Sequence, residues 1–208
     1  EQGHFYLFEQ FLEDTRINVN KFYAKQSITK TLLEHMALIL LSASNDGKVD
    51  ILSLILKLCN HRQLSKEGIG DAPLTLAQHS PSGKEAELVI NIFEKLQTLV
   101  SFESILNRQR ETVLHLASKF STASVVKSLL SGKKSTTRHT KHGENPLHYA
   151  AFNKSHRVAE VLLRHVRQHH LEYVLESKGP RGTPYDIAML DSTSSGRKKQ
   201  RLLMIKKP

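Results

Sequence analysis

The first candidates for chemistry are the single cysteine and the histidines, of which the chain has twelve. Cys59 is followed closely by His61, and a cysteine beside a histidine is the arrangement of a thiol nucleophile with its general base. Cys59 also ends an apolar stretch, however, and a buried thiol near a helix end is inert. We favour the inert thiol, which needs no catalytic role.

Two histidine pairs have the spacing of metal ligands. His165 and His169 lie four residues apart, and His139 and His142 lie three apart. Neither pair has the cysteine and carboxylate neighbours that would complete a tetrahedral set. The chain also lacks a phosphate-binding loop, a dinucleotide fingerprint and a Gly-x-Ser-x-Gly motif. We therefore expect no metal, no cofactor and no catalytic residue.

Charge is divided unevenly along the chain. The formal net charge of +10 is the sum of −3 from residues 1–104 and +13 from residues 105–208. This asymmetry predicts an acidic partner, a nucleic acid or an anionic membrane surface for the C-terminal half, with a merely solvated basic surface as an equal alternative. No apolar run approaches the roughly 20 residues that a transmembrane helix needs.

A seven-residue segment recurs 33 positions further along the chain. Thr112–Ser118 reads TVLHLAS, and Asn145–Ala151 reads NPLHYAA. Each copy is followed at the same distance by an aliphatic stripe whose spacing places it on one helical face. The stripes are Val125, Val126, Leu129 and Leu130, and Val158, Val161, Leu162 and Leu163. A period of this length indicates a solenoid of stacked helix pairs.

The pattern resembles the ankyrin repeat, whose consensus is roughly G-x-TPLHxAAxxGxxxxVxxLL. The second copy matches it at Gly143, Pro146, Leu147, His148, Ala150, Ala151, Leu162 and Leu163. The resemblance implies an all-α solenoid, in which His115 and His148 hydrogen-bond backbone groups and are structural. Thr112, Asn145 and Thr183 occupy the N-cap position, where a side-chain oxygen accepts from free N–H groups.

Three degenerate copies extend the array to about five repeats. Residues 70–77 have Thr75 in place of the histidine, and residues 182–188 have Asp186 there, while the first copy lacks the string altogether. We expect repeats to begin near residues 38, 72, 112, 145 and 183, within an array that spans residues 38–191.

Both ends of the chain depart from the repeat pattern. The apolar segment His4–Asp14 and a helix predicted over 28–41 indicate an N-terminal helical cap at residues 1–37, which would shield the end of the solenoid. Residues 192–208 form a basic tail whose cations include Arg197, Lys198, Lys199 and Arg201. This tail is a nuclear-import signal, a phosphate-binding patch or a solubilising end.

The resemblance also implies where a partner would bind, because ankyrin arrays usually dock partners along their hairpin tips and the exposed ends of their first helices. The tips fall at Gly68, Ile69 and Asp71, at Arg108, Gln109 and Glu111, and at Lys141, His142 and Glu144. The helix ends fall at Lys119 and Phe120 and at Phe152 and Asn153.

Phe120 and Phe152 are the most informative of these residues. Both fall on the predicted concave face, in adjacent repeats, and aromatic anchors with a basic rim have the composition of a protein-binding hot spot. The alternative is that one or both phenylalanines pack between repeats.

The sequence therefore predicts a monomeric protein–protein interaction scaffold, not an enzyme, with a partner protein that has an acidic surface. One alternative is an anion-binding module for phosphoinositide or nucleic acid that uses the basic C-terminal half. Nucleic acid is not favoured, because no binding module is recognisable. The other is an accessory region of a longer enzyme, which the resemblance allows because ankyrin arrays often lie beside catalytic domains. The chain begins at Glu1 rather than Met, so we expect a fragment or a trimmed chain.

The compartment follows from the single cysteine, which suits a reducing, intracellular location, cytoplasmic or nuclear. Degenerate repeats rich in histidine and lysine also resemble the ankyrin proteins that intracellular pathogens deliver into host cells, in which case the location is the host cell.

Overall fold

A computed structural model of the chain describes residues 10, 14, 18–20, 22–25, 28–130 and 135–190. The chain divides into two compact units, Glu1–Phe102 and Glu103–Pro208. The described residues are mostly helical, as the all-α prediction requires. The basic tail and most of His4–Asp14 lie outside the described residues. No helix in the described part is long and apolar enough to cross a membrane.

The described part of the first unit contains a two-stranded hairpin and five helices. In chain order these are β1 (Phe22–Lys25), β2 (Ile28–Thr31), α1 (Leu32–Ser42), α2 (Asn45–Cys59), α3 (Lys66–Ile69), α4 (Ala72–Leu76) and α5 (Lys84–Gln97). Helix α2 packs against both α1 and α5, and α1 packs against α4. Their shared interior is apolar, with Leu33, Leu52 and Phe93 fully buried.

The hairpin replaces the start of the helix predicted over 28–41. The two strands are antiparallel, and β2 continues directly into α1. Thr31 ends the strand and caps the helix: its hydroxyl accepts from the Glu34 N–H at 3.1 Å, and the Glu34 carboxylate accepts from the Thr31 N–H at 2.6 Å. This capping box fixes the start of α1 at residue 32. The boundary predicted between residues 37 and 38 therefore falls inside α1.

The described part of the second unit contains five α-helices and two short 3-10 helices. In chain order these are α6 (Val113–Phe120), α7 (Ala123–Leu129), a 3-10 helix (Ser135–Thr137), α8 (Pro146–Phe152), α9 (His156–Gln168), a 3-10 helix (Glu172–Glu176) and α10 (Pro184–Leu190). The first helices α6, α8 and α10 pack in sequence, and the second helices α7 and α9 pack against each other and against their own first helices. Two such layers are the arrangement of stacked helix-turn-helix repeats.

N-cap residues start α6 and α8 as the sequence predicts. The Thr112 hydroxyl accepts from the His115 N–H, and the Asn145 carboxamide oxygen accepts from the N–H groups of Leu147 and His148. Each histidine closes the box, because its Nδ1 accepts from the backbone N–H of the capping residue. These bonds satisfy donors that a helix N-terminus leaves free.

Candidate functional site

Two loops of the second unit, 33 residues apart, are built alike; we call residues 107–111 the first tip and residues 140–144 the second tip. Asn107 Oδ1 accepts at 2.9 Å from the backbone N–H groups two and four residues further along. Thr140 Oγ1 does the same at 3.2 and 3.3 Å. In both tips the N–H three residues on also donates to the backbone carbonyl of the organising residue. The hydrogen bonds of one polar side chain therefore stabilise the backbone conformation of each tip.

The fourth residue of each tip has a positive φ, 62° at Arg110 and 80° at Gly143. Glycine adopts this conformation without strain, whereas in other residues it costs about 1–2 kcal/mol of conformational energy. Gly143 has a second requirement, because a Cβ there would lie 2.9 Å from the carbonyl oxygen of Lys178. The second tip thus needs glycine, and the first tip tolerates arginine.

A third tip, residues 177–182, follows the second. Gly179 and Gly182 exchange two backbone hydrogen bonds of 3.0 and 3.1 Å around a two-residue turn, Pro180 and Arg181. Hydrogen bonds join neighbouring tips. The Lys141 N–H in the second tip donates to the Gln109 carbonyl in the first tip at 2.9 Å. Nε2 of His139, the residue before the second tip, lies 3.0 Å from the Ser177 hydroxyl oxygen in the third tip. These bonds hold the three tips in one row.

The tip residues that the sequence named differ in exposure. Four are exposed and available to a partner: Arg108, Gln109, Lys141 and His142. The two carboxylates are half-buried instead. Glu111 accepts from the Tyr149 hydroxyl and from the Asn107 amide, and the side chain of Glu144 lies against Gly179. Glu111 and Glu144 thus contact other residues of the second unit and are less accessible to a partner.

The ends of the first helices expose the two aromatic side chains. Phe120 is 37% exposed and Phe152 is 46% exposed, so each ring is partly open to solvent. The Lys119 ammonium lies 4.9 Å from the centroid of the Phe120 ring. The Asn153 amide donates to the backbone carbonyl of Lys119, which joins the two helix ends.

Arg181 belongs to this surface, although the sequence analysis did not single it out. Its guanidinium lies 4.2 Å from the centroid of the Phe152 ring, within the range of a cation–π interaction. The glycine of the last repeat, Gly182, lies one position later than the consensus expects. That shift was the available signal of an altered tip, and Arg181 immediately precedes it.

The tip expected at Gly68, Ile69 and Asp71 is wrong as an exposed loop. Gly68 and Ile69 are buried within α3. Asp71 is exposed, but its N–H donates to the Glu34 carboxylate at 2.7 Å. Partial burial, followed by the nearby Glu34 carboxylate, raises the pKa of Asp71. The first unit therefore has no counterpart of the second unit's row at this position.

The buried histidines are structural, as the resemblance implies. Burial lowers the pKa of both His115 and His148 to about 4, which keeps both imidazoles neutral at neutral pH. Nε2 of His115 lies 3.2 Å from the carbonyl oxygen of Glu144, and its ring contacts Tyr149 edge-on at 5.4 Å. His115 therefore links the start of α6 to the second tip.

The nucleophile and metal candidates gain no support from the geometry. Cys59 is buried, and burial raises the pKa of its thiol to about 12, so it is not a thiolate at neutral pH. The rings of His165 and His169 lie 4.4 Å apart. Among the described residues, no group of three or more histidine, cysteine or carboxylate side chains is placed to hold a metal ion.

Comparison with known families matches residues 85–172 to a model of three copies of the ankyrin repeat. The matched residues run from the first turn of α5 to the end of α9 and include the first and second tips and both exposed phenylalanines. A search of curated proteins finds no match for the chain.

Proposed function

Because residues 85–172 are ankyrin repeats, we propose that this chain is a protein–protein interaction scaffold whose second unit binds a partner protein. Ankyrin repeats in general are protein-binding modules rather than catalysts. The scaffold acts as a monomer inside the cell, in the cytoplasm or the nucleus, without a cofactor. Its role is to present side chains on a fixed backbone.

The binding surface in this proposal consists of the exposed tip residues and the first-helix ends. Its members are Arg108, Gln109, Lys141, His142, Lys119, Phe120, Phe152, Asn153 and Arg181. Glu111 and Glu144, which the sequence placed among the contact residues, act by positioning the tips. The observation that carries the proposal is the exposure of Phe120 and Phe152 at the ends of neighbouring helices. Aromatic side chains of this kind contribute most of the energy in many protein interfaces.

The proposal is tested by affinity capture with the double variant Phe120→Ala/Phe152→Ala. The wild-type chain and the variant are used as bait in an extract of the source cells, and captured proteins are quantified by mass spectrometry. The main captured protein should fall at least about tenfold with the variant, because each lost anchor costs more than about 1 kcal/mol. Thermal unfolding should change little, since both side chains are exposed.

Tyr173→Ala is the matched control, because Tyr173 is a 60% exposed aromatic residue of the same unit outside the proposed surface. Its capture should equal that of the wild type. Equal capture by the double variant, or a large loss of stability with capture retained, would show that the two phenylalanines are not the anchors.

A further inference from the structure

Exposed positive charge lies along the row of three tips. The first tip exposes Arg108 and Arg110, the second exposes Lys141, and the third exposes Lys178 and Arg181. Each tip thus presents at least one cation to solvent. The exposed charged side chains of the three tips are all basic. Such a row on a fixed backbone attracts a ligand of opposite charge and sets its position.

Two half-buried carboxylates, Glu111 and Glu144, belong to the tips and reduce their formal net charge from +5 to +3. Glu111 accepts from Tyr149 and Asn107, and the Glu144 side chain lies against Gly179. Beyond the third tip, the carboxylate of Asp186 accepts from the backbone and hydroxyl of Thr183 at 2.9 and 2.8 Å. The remaining nearby carboxylates, Glu172 and Glu176, lie in the 3-10 helix that precedes the third tip.

The spacing of the row follows from the packing of the helices that carry it. Helix α8 packs against α6 and α10, and the axes of packed helices are about 8–10 Å apart. A peptide in the extended polyproline-II conformation advances about 3.1 Å per residue, and every third side chain points in the same direction. One step along the row therefore corresponds to about three residues of an extended chain.

On the basis of the function proposed above, we propose that the row binds an extended acidic segment of the partner, with a carboxylate at about every third residue. One carboxylate pairs with each tip, and an apolar side chain of the same segment packs against Phe120 and Phe152. Charge complementarity selects the acidic segment, and the exposed rings select the apolar residue.

A single-stranded nucleic acid fits this surface less well. Proteins that bind single strands stack bases on open aromatic faces. Here the Arg181 guanidinium covers one face of Phe152 and the Lys119 ammonium covers one face of Phe120. An acidic peptide with one apolar side chain uses both the exposed cations and the exposed edges of the two rings.

A display library of random 12-residue peptides, selected against the purified full chain, tests the proposal without knowledge of the partner. The enriched peptides should be acidic, with Asp or Glu recurring every third position and one aromatic or aliphatic residue. Selected peptides are then synthesised, together with a version that has the same composition with its carboxylates clustered. The clustered version should bind at least about fivefold more weakly, because it reaches fewer tips.

Two triple variants of equal charge separate the row from the general basicity of the chain. Arg108→Glu/Lys141→Glu/Arg181→Glu reverses one cation in each tip and should weaken peptide binding by at least about thirtyfold. The control is Lys127→Glu/Arg157→Glu/Arg167→Glu, which makes the same change in net charge at exposed positions of α7 and α9. The control should change the Kd by less than about threefold.

The outcomes separate this proposal from the function on which it rests. Neutral or basic enriched peptides that lose binding with Phe120→Ala/Phe152→Ala would overturn the acidic segment and leave the binding scaffold intact. Equal weakening by the two triple variants would also overturn the row. A 15-residue oligothymidylate that binds through the tips, with no peptide enriched, would overturn both proposals in favour of nucleic acid.

Discussion

Two helix starts in the second unit and one in the first satisfy the same requirement by different means. Every helix start leaves backbone N–H groups without partners. In the second unit, Thr112 and Asn145 supply the missing acceptors from within three residues of the helix they cap. In the first unit, the helix start at residue 71 has no side-chain cap of its own, and Glu34 supplies an acceptor from 37 residues away.

Other polar contacts in the first unit are likewise specific to one place in the chain. The Asn20 carboxamide accepts from the Ser65 N–H at 2.9 Å and donates to the Gln63 carbonyl at 2.6 Å. His79 and Glu85 form a buried pair at 3.1 Å beside the start of α5. These contacts of the first unit each occur once, whereas the second unit repeats the same cap at two helix starts 33 residues apart. A repeat can therefore lose its sequence pattern while its helices still pack, because single contacts replace the repeated cap.

Acidification should have the largest effect and should separate the units. Burial lowers the pKa of His115 and His148 to about 4, whereas an unfolded histidine titrates near 6.5. Between these values the unfolded state binds more protons, so stability falls as the pH falls, by about 1.4 kcal/mol per pH unit for each histidine. Circular dichroism with amide exchange should show the second unit opening first below about pH 5.5.

His79 of the first unit provides the internal comparison. Burial also lowers its pKa, but the Glu85 carboxylate opposes that shift, so its contribution to acid unfolding is smaller. The variant His115→Gln should remove about half of the pH slope of the second unit. Imidazole resonances of His115 and His148 that titrate near 6.5 in a folded unit would contradict this prediction.

Asn145→Ala should have the next largest effect. The change removes the cap of α8 and leaves the Val174 carbonyl, now bonded to the Asn145 amide at 2.8 Å, without that partner. The expected loss is about 3 kcal/mol in the free energy of unfolding, measured with urea by circular dichroism. Thr112→Ala removes a cap without such a distant bond and should cost about 1 kcal/mol. Equal losses would mean that the bond to Val174 adds nothing.

Asn20→Ala tests the long-range contacts of the first unit. Loss of the bonds to Ser65 and Gln63 should destabilise the unit by about 2 kcal/mol. Amide exchange should accelerate around residues 63–65 and stay unchanged in the second unit. Asn18→Ala is the control, because Asn18 is exposed and its carboxamide oxygen accepts from the nearby Asn20 N–H at 2.9 Å. Faster amide exchange in both units would show that the bonds of Asn20 also stabilise the second unit.

The two tip positions of positive φ should respond in opposite directions and least strongly. Gly143→Ala should destabilise the second unit by about 1–2 kcal/mol, from the left-handed backbone and the approach to Lys178. Arg110→Gly should stabilise it by about 0.5 kcal/mol, because relief of strain slightly exceeds the entropy that glycine costs. Thermal unfolding measures both. A destabilised Arg110→Gly would show that the arginine side chain helps to hold the first tip.

Features that depend on residues close together in the chain could be predicted from the sequence, and those that depend on distant residues could not. The caps of α6 and α8 and the exposure of the phenylalanines in the second unit come from residues close together in the chain, so a pattern of 33 residues reveals them. The bonds of Asn20 join residues about 45 positions apart, and no local pattern encodes them. The helix predicted over 28–41 begins four residues too early, because the apolar spacing alone does not mark a helix start at Leu32. The Thr31–Glu34 capping box was the signal that marks the true start.

The way the tips are folded has a consequence for variation. Asn107 and Thr140 bond the backbone, and the link between the first two tips joins the Lys141 N–H to the Gln109 carbonyl. The side chains at positions 108, 109, 141 and 142 contribute nothing to that frame. Substitution at these four positions by residues other than proline, which lacks the N–H, therefore yields a repertoire of surfaces on one scaffold. Related chains can diverge in what they recognise while keeping the same fold.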